Sequence, residues 1–241
     1  MKLAVIIPCY NERDNIPLIV ERISHTFAGR ANVEVILVDN GSTDGSDVVF
    51  AAQLAGQSFI RCVKVEQNKG YGHGILFGLG KACDAEVYAW THADMQSDPN
   101  DVLTAFDLLC AQGVGSNIVK GRRSNRAFID TMFTFLMQMT ANLALNVKVD
   151  DVNAQPKVFS KPFYDNYIRG LAPQDFSLDL FLICQAYKAE FSILEVPVIF
   201  AERIHGEAKG GGSWRTRIKL IRRTLAYIFK LRRTLKDTVS T

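Results

Sequence analysis

A cluster of oxygen-bearing side chains stands out in the stretch THADMQSDP. Asp94 and Asp98 carry carboxylates, and Gln96 places an amide between them. Carboxylate and amide oxygens are ligands that hard divalent cations prefer. His92 stands where a second carboxylate would be expected. The stretch is therefore consistent with a metal-dependent active site, a modified form of one, or a polar loop without chemistry.

The composition is that of one catalytic domain. A chain of 241 residues with 48% hydrophobic residues can bury one substantial core. The five cysteines are odd in number and contain no CxxC pair, so reduced thiols in a cytosolic compartment are expected rather than zinc or redox chemistry. The apolar run KLAVIIPCY is short and holds a proline, which predicts a first strand and not a signal peptide.

No transmembrane helix is predicted. The longest apolar stretch, residues 132–147, is shorter than the roughly 20 residues that a membrane span requires, and it carries Gln138 and Asn142.

Basic charge is concentrated near the C-terminus. Nine of the 28 Lys and Arg residues lie between Trp214 and Lys236, where there is no acid, so 19 basic residues face 25 acidic ones elsewhere. Apolar residues recur there at helical spacing and predict an amphipathic basic helix: Trp214, Ile218, Ile221, Leu225 and Ile228. Such a helix can lie on an anionic membrane, pack on the domain, or form an oligomer contact.

Short β-rich runs alternate with helical patterns in the first half of the chain. The runs LAVIIPCY, VEVILVDN, IRCVKVEQN and AEVYAWTHAD predict strands, and residues 16–27, residues 46–55 and GHGILFGLGKAC predict the helices between them. This order predicts an α/β fold with a mostly parallel central sheet flanked by helices. Functional groups are then expected at the carboxyl ends of the strands, where CYNE, DNGSTDGS, QNKGYGHG and THADMQSD stand.

A dinucleotide-binding site of the Rossmann type is not indicated. Its GxGxxG motif would directly follow the first strand, where the sequence reads PCYNERDN. The glycines of NKGYGHG follow the third strand instead. They are explained by a tight turn with close packing of the next helix, or by direct contact with a phosphate.

The second half is less regular. PNDVLTAFDLLCAQG and FSLDLFLICQAYKAE predict helices, NIVKGRR predicts a strand, and AFIDTMFTFLMQMTANLALN predicts a long apolar helix. VNAQPKVFS is either a strand or a bend, and FSILEVPVIFAER predicts a strand interrupted by Pro197. A glycine hinge then precedes the basic helix.

Six segments together resemble one protein family. VIIPCYNERDNI, VILVDNGSTDGS, NKGYGHGILFGL, HADMQSDP, GRR and RIHGEAK occur in the order and spacing of family 2 glycosyltransferases with the GT-A fold. They most resemble the branch of dolichyl-phosphate mannose synthase and the polyprenyl-phosphate glycosyltransferases. The resemblance covers residues 1–209 and implies a catalytic domain there, followed by a hinge and basic helix over residues 210–241.

The resemblance implies a nucleotide site at the ends of the first two strands. Four residues would surround the base and ribose: Pro8, Tyr10, Glu12 and Asp39. Carboxylates suit this role because they accept hydrogen bonds from base N–H and ribose hydroxyl groups. The alternative for DNGSTDGS is a turn that caps the next helix through Ser46 or Asp44.

The DxDxQ metal motif of the family aligns with His92, Asp94 and Gln96. Asp94 is the first candidate ligand for Mg²⁺ or Mn²⁺ and Gln96 is the second, because such an ion needs few protein ligands when a diphosphate supplies others. His92 departs from the motif. Its neutral imidazole suits Mn²⁺ better than Mg²⁺, or it contacts the sugar or a phosphate without contacting the metal.

The segment RIHGEAK matches the RxxGxSK loop of the family at Arg203, Gly206 and Lys209. The resemblance implies that this loop closes over the donor diphosphate and stabilises charge on the leaving nucleotide. Ala208 replaces the usual serine, which removes one hydroxyl contact. A solvated basic loop is the alternative.

The resemblance also implies which residues contact the acceptor, namely an arginine and one of two aspartates. Arg123, next to Arg122, matches the arginine that grips the phosphate of the acceptor, which a guanidinium can bond bidentately. Asp175 and Asp179 are candidates for a general base, although Asp175 suits a helix N-cap equally well. Gln155 and the proline after it depart from the family pattern near the acceptor.

Three hypotheses follow. The first is an inverting glycosyltransferase, peripheral at the cytoplasmic membrane face, that moves a sugar from a GDP- or UDP-linked donor to a polyprenyl phosphate. The second keeps this donor but transfers the sugar to a saccharide hydroxyl, as in surface polysaccharide assembly. The third is a nucleotide-sugar-binding protein that has lost catalysis. A nucleic acid partner is not expected, and oligomerisation is left open.

Overall fold

The β-rich runs form one seven-stranded sheet. The computed structural model describes residues 1–82, 84–124, 150–201 and 226–228. The strands in these ranges are β1 (Leu3–Cys9), β2 (Val33–Asp39), β3 (Ile60–Lys64), β4 (Val87–Trp90), β5 (Asn117–Arg123), β6 (Lys157–Ser160) and β7 (Ser192–Val198). The helices are α1 (Ile16–Thr26), α2 (Ser46–Gln53), α3 (Tyr71–Leu79), α4 (Pro99–Gln112) and α5 (Leu178–Lys188). A turn of α-helix at Lys161–Phe163 also continues into a π-helical Tyr164–Ile168.

The strand order is β3-β2-β1-β4-β6-β5-β7. The pairs among β1 to β4 are parallel, as is β5 with β7, whereas β6 runs antiparallel to β4 and β5. Parallel neighbours need a crossover connection, and the helices that alternate with the strands provide it. The predicted mostly parallel sheet is confirmed, and the segment that was either strand or bend contributes β6.

Helices cover both faces of the sheet because β1 is apolar on both sides. Val5 packs in one cluster with residues of α1, α2 and α4, whereas Ile6 packs in a second cluster with residues of α3 and α5. Strands buried on both faces read as continuous apolar runs instead of alternating ones. This layering favours polar side chains at the ends of the central strands.

The prediction that Pro197 interrupts the last strand is wrong. Strand β7 continues through Pro197 to Val198, in register with Arg122 and Arg123 of β5. Because β7 lies at the edge of the sheet, only one of its sides carries ladder hydrogen bonds. A proline without an N–H is tolerated at such an edge.

Several predicted elements lie outside the described residues. They are the long apolar helix after β5, the RIHGEAK loop and most of the basic C-terminal helix.

Residues 226–228 are helical, and Ile228 is fully buried in the same cluster as residues of α5. The apolar stripe of the C-terminal segment therefore packs on the domain at this turn. Among the described helices, none is both long and apolar enough to cross a membrane.

Gly121 provides a test of how tightly β5 packs. A Cβ atom there would lie 2.6 Å from the carbonyl carbon of Gln155 and closer still to its oxygen, whereas a Cβ at Gly115 would meet nothing within 4 Å. We expect Gly121→Ala to lower the free energy of unfolding by about 2 kcal/mol through overpacking. Gly115→Ala should change it by less than about 0.5 kcal/mol. Urea unfolding measures both, and equal midpoints would contradict the packing.

Candidate active site

The loops after β1 and β2 are tied together. The backbone N–H of Asn11 donates to the Ser42 hydroxyl (3.0 Å), and the N–H of Thr43 donates to the Asn11 side chain (2.8 Å). Asn11 adopts a positive φ of 52°, a conformation that asparagine accommodates better than most residues. Next to it, the Asn15 amide donates to the Glu12 carboxylate (2.6 Å). Tyr10 and Glu12 are therefore held on an ordered loop beside the carboxyl end of β2.

Asp39 ends β2 and is the most buried residue of the predicted nucleotide site. One of its carboxylate oxygens accepts a hydrogen bond from the Ser42 N–H (2.9 Å). The other, Oδ2, is buried and accepts none from the described residues. Pro8 lies opposite Val38 in the neighbouring strand. An unpaired buried acceptor at this position suits the N–H or hydroxyl donor of a nucleotide.

The second half of DNGSTDGS contacts the start of α2, although the N-cap residue itself is Gly45 and not Asp44 or Ser46. Asp44 accepts hydrogen bonds from the N–H (3.1 Å) and the hydroxyl (2.6 Å) of Ser46, the first residue of α2. The two interpretations of this segment therefore apply to different residues: Asp44 bonds the helix, whereas the buried Oδ2 of Asp39 has no hydrogen-bond partner among the described residues.

The glycines of NKGYGHG allow two segments to pack closely. A Cβ at Gly70 would lie 2.7 Å from the Gln174 carbonyl oxygen, and one at Gly72 would lie 2.7 Å from that of Asp175. The His73 N–H also donates to the Gln174 carbonyl (2.8 Å). This agrees with the packing interpretation of the glycines.

The predicted metal loop brings His92, Asp94 and Gln96 together. Asp94 accepts a hydrogen bond from the Gln96 N–H (3.2 Å), and Nδ1 of His92 lies 3.8 Å from Asp94 Oδ2. Asp98 instead caps α4 by accepting from the Asn100 N–H (2.9 Å). No cluster of three or more His, Cys, Asp or Glu residues able to hold a metal occurs within the described ranges. A cation at Asp94 would therefore take most of its ligands from a bound molecule.

The metal loop is bonded to the segment that follows β7. The Gln96 side-chain amide donates to the Ala201 carbonyl (3.1 Å), and the Ala201 N–H donates to the Gln96 carbonyl (2.9 Å). Ala201 lies two residues before Arg203. Arg203 and Lys209 themselves lie outside the described residues.

A buried ion pair lies beneath the site. The Asp179 carboxylate oxygen Oδ1 accepts from Trp90 Nε1 (3.2 Å), from Gln155 Nε2 (3.0 Å) and from the Lys157 ammonium (3.2 Å). The Lys157 side chain has no exposed surface, and the Asp179 side chain is 4% exposed. Burial lowers the pKa of Lys157, and the charge of Asp179 opposes that shift.

Tyr71 connects this ion pair to the metal loop. Gln155 Nε2 donates to the Tyr71 hydroxyl (3.2 Å), which lies 3.4 Å from Nε2 of His92. Burial raises the pKa of Tyr71 well above its usual value, and the charge of Asp179 raises it further. Burial also lowers the pKa of His92, although the charge of Asp94 opposes that shift.

Arg123 is paired inside the protein. Its guanidinium and its backbone N–H both donate to the Asp151 carboxylate, and the guanidinium lies 5.3 Å from the centre of the Phe200 ring. The neighbouring Arg122 has a side chain that is 62% exposed and lies 3.8 Å from Glu195. The structure thus holds Arg123 in a defined position and leaves Arg122 largely in water.

Sequence reasoning missed several residues of the site. Lys157 had a signal, because a lysine within the apolar run QPKVFS must find a counter-charge if the run is buried. Tyr71 and Asp151 had none, since their contacts lie 21 and 28 residues away along the chain.

Comparison with known proteins identifies the family of this chain. Residues 4–159 match the model of glycosyl transferase family 2. Polyprenol monophosphomannose synthase of Mycolicibacterium smegmatis is 27% identical over 217 residues, which cover 87% of this chain and 81% of the relative. Dolichol-phosphate mannosyltransferase of Pyrococcus furiosus is 27% identical over 238 residues, which cover 96% of this chain and 64% of the relative.

Two solved structures show the same fold. One is glucosyl-3-phosphoglycerate synthase from Mycobacterium tuberculosis with Mn²⁺, UDP and glucosyl-3-phosphoglycerate (TM-score 0.72, 17% identity, covering 96% of this chain and 79% of that chain). The other is a mannosyltransferase from Pyrobaculum calidifontis with GDP-Man and Mn²⁺ (TM-score 0.69, 19% identity, covering 95% and 64%). The predicted GT-A fold is confirmed. The family model matches more than half of the residues of this chain. The chain therefore belongs to glycosyl transferase family 2 and is a glycosyltransferase.

Proposed function

We propose that this glycosyltransferase inverts the anomeric centre as it moves a sugar from a GDP- or UDP-linked donor to a polyprenyl phosphate at the cytoplasmic membrane face. The observation that carries the donor side is the placement of two carboxylates. Asp39 ends β2 and Asp94 follows β4, and both strands flank β1 in the sheet. A donor laid across the end of β1 can place its base near one carboxylate and its diphosphate near the other.

Four residues serve the nucleotide in this proposal: Pro8, Tyr10, Glu12 and Asp39. The buried Oδ2 of Asp39 accepts a hydrogen bond from the base or the ribose. Such a contact is specific, because a ligand without that donor would leave the buried oxygen unpaired.

The residues at the metal loop fit Mg²⁺ or Mn²⁺. Asp94 offers a carboxylate and Gln96 an amide, and a hard cation bound this way completes its shell with phosphate oxygens and water. When bound, the cation neutralises negative charge on the diphosphate. The solved relatives named above contain Mn²⁺ together with UDP or GDP-Man, which supports this assignment.

Arg203 and Lys209 add positive charge to the departing nucleotide in this proposal. The two hydrogen bonds between Gln96 and Ala201 support it, because they hold Ala201, which precedes the RIHGEAK segment by two residues, beside the metal loop. Charge that develops on the leaving diphosphate would then be stabilised by groups already in position.

The residues near the proposed acceptor suit a phosphate nucleophile better than a hydroxyl. A saccharide hydroxyl needs a general base, whereas a phosphate oxygen is already anionic at neutral pH. Both candidate bases are engaged: Asp179 accepts from three donors, and Asp175 accepts from the Ser177 N–H (2.9 Å). Because both carboxylates already accept hydrogen bonds from the protein, they suit a structural role better than the removal of a proton from an acceptor hydroxyl. The relatives include enzymes named for polyprenol and dolichol phosphate, and Arg123 remains the predicted contact for the acceptor phosphate.

Membrane contact is proposed through the basic residues between 214 and 236. The burial of Ile228 implies that residues 210–241 include at least one turn that packs on the catalytic domain. The charged side of the segment can still attract anionic lipid while part of its apolar side packs on the protein.

The purified protein tests this function directly. It is incubated with Mn²⁺, radiolabelled GDP- or UDP-sugars and membranes that contain polyprenyl phosphate. Label in an organic-extractable, mild-acid-labile product is expected. Label only in water-soluble glycan would support the saccharide acceptor, and donor binding without turnover would support the protein that has lost catalysis.

Two neighbouring aspartates provide a matched pair for the metal assignment. Asp94→Asn removes the carboxylate that would hold the cation, and we expect turnover to fall at least about 100-fold, a loss typical of one electrostatic group at a reacting diphosphate. Asp98→Asn removes the same charge four residues away but leaves a good N-cap. Turnover at saturating Mn²⁺ measures both, with Asp98→Asn close to the unmodified enzyme. Similar activities in the two variants would contradict the metal assignment.

Asp179 is expected to matter for stability, because it neutralises Lys157 in the interior. Asp179→Asn leaves a buried ammonium without a counter-charge, which should lower the free energy of unfolding by about 3 kcal/mol. Asp175→Asn, with its acceptor oxygen retained, should change it by less than about 0.5 kcal/mol. Urea unfolding measures both. A variant at Asp179 with unchanged stability and lost turnover would instead support a general base.

A further inference from the structure

One aromatic side chain contacts both sides of the proposed active site. Phe200 follows β7, and the centre of its ring lies 5.3 Å from the guanidinium carbon of Arg123 and 6.4 Å from the centre of the His92 ring. We propose that Phe200 is a positioning residue, whose ring holds the Arg123 guanidinium so that its unpaired edge faces the acceptor phosphate. The inference rests on the proposed function, because that function makes Arg123 the contact for this phosphate.

The backbone is anchored on both sides of Phe200. Before it, the Val198 carbonyl accepts hydrogen bonds from the N–H (3.0 Å) and the hydroxyl (3.1 Å) of Ser124, which directly follows β5. After it, Ala201 exchanges two hydrogen bonds with Gln96 of the metal loop (2.9 and 3.1 Å). Phe200 therefore lies on a short segment that joins the end of β5 to the metal loop, and its ring has a defined position.

Neighbouring side chains on this segment face different surroundings. Ile199 is 70% exposed, whereas Phe200 is half-buried and has the guanidinium of Arg123 over its ring. The face of an aromatic ring carries partial negative charge and attracts a cation that lies over it. An aliphatic side chain of similar size would fill the same space without this attraction. The aromatic character of residue 200 thus bears directly on Arg123.

Asp151 and Phe200 together determine the orientation of Arg123. The Asp151 carboxylate accepts hydrogen bonds from Nε and Nη2, which fixes one edge of the planar guanidinium. Nη1 has no hydrogen-bond partner among the described residues, and the Arg123 side chain is 18% exposed. The edge that carries Nη1 is therefore available to an anion. A guanidinium edge can bond a phosphate through two parallel N–H groups.

The ring of Phe200 would flank the reacting carbon in the proposed reaction. An inverting displacement brings the acceptor oxygen to the anomeric carbon on the side opposite the leaving diphosphate. The acceptor phosphate would lie at Arg123 and the diphosphate at Asp94, which is 3.8 Å from His92. Because Phe200 contacts both Arg123 and His92, its ring borders the space between the two phosphates. A guanidinium displaced by even a small distance would misplace the nucleophile there.

Binding of a short isoprenyl monophosphate tests this role without turnover. Citronellyl phosphate is titrated into the full chain in the presence of Mn²⁺ and UDP or GDP, and the heat of binding is measured. We expect Phe200→Leu to raise the Kd of citronellyl phosphate by about 5- to 20-fold, which corresponds to the loss of one cation–π contact partly shielded from water. The Kd of the nucleotide with Mn²⁺ should stay unchanged. An unchanged Kd for citronellyl phosphate would overturn the proposal.

Fluorination of the ring separates its charge from its shape. Replacement of Phe200 by trifluorophenylalanine keeps the size of the ring nearly constant but removes most of the negative charge from its face. We expect this replacement to weaken the binding of citronellyl phosphate nearly as much as Phe200→Leu does. Affinity equal to that of the unmodified protein would mean that Phe200 acts by packing alone, and the positioning role would be rejected.

Phe77→Leu is the matched control. The ring of Phe77, in α3, also has a cation–π contact, with the Lys81 ammonium at 5.2 Å. The variant removes the same kind of contact from another element and should leave the Kd of citronellyl phosphate unchanged. Urea unfolding verifies that both variants are folded. A loss of affinity as large as that of Phe200→Leu would contradict a specific role for Phe200.

The NMR signal of the Arg123 Nε–H group separates this inference from the proposed function. The signal is assigned from its loss in Arg123→Lys, and the ring current of Phe200 makes its position sensitive to the contact. We expect it to move in Phe200→Leu and not in Phe77→Leu. A signal that moves in a protein unable to bind citronellyl phosphate would retain the positioning of Arg123 and reject the phosphate acceptor. A signal that does not move in an active enzyme would do the reverse.

Discussion

The Lys157–Asp179 ion pair is the interaction on which the site depends. A charge in the interior is tolerated when it is paired with an opposite charge and also hydrogen-bonded. Here Trp90 and Gln155 donate additional hydrogen bonds to the Asp179 carboxylate. Lys157 stands in β6 and Asp179 in α5, so the pair joins the antiparallel strand of the sheet to a helix on its face. Gln155 also donates to the Tyr71 hydroxyl, which lies 3.4 Å from Nε2 of His92.

The sheet determines where this chemistry can occur. Strands β1, β2 and β4 are largely buried on both faces, and polar groups collect at their carboxyl ends, where Asp39 and Asp94 come from segments far apart in the chain. The hydrogen bonds from Asn11 to the loop after β2, and from Gln96 to Ala201, hold these loops in place. Within the described residues these contacts fix the loops of the proposed donor site, which would reduce the ordering that binding must accomplish.

Much of the fold followed from pattern. Continuous apolar runs separated by amphipathic helical segments predicted β1 to β4 and α1 to α4, and the family motifs predicted the positions of Asp39 and Asp94 at strand ends. The prediction failed at Pro197, because the sequence does not reveal that β7 is an edge strand. It left VNAQPKVFS undecided, because β6 is short and its partners β4 and β5 are distant in sequence.

The sequence by itself determined the types of group available: two carboxylates, one amide and one histidine in the predicted metal loop, and a carboxylate at the end of β2. These depend on local order and on the periodicity of apolar residues, which are properties of the chain. Only the tertiary structure decided which polar side chains contact one another. It paired Arg123 with Asp151, occupied Asp179 with Lys157, and connected His92 to Gln155 through Tyr71. Such contacts depend on burial and on partners far away in sequence, so they cannot be predicted from the local sequence pattern.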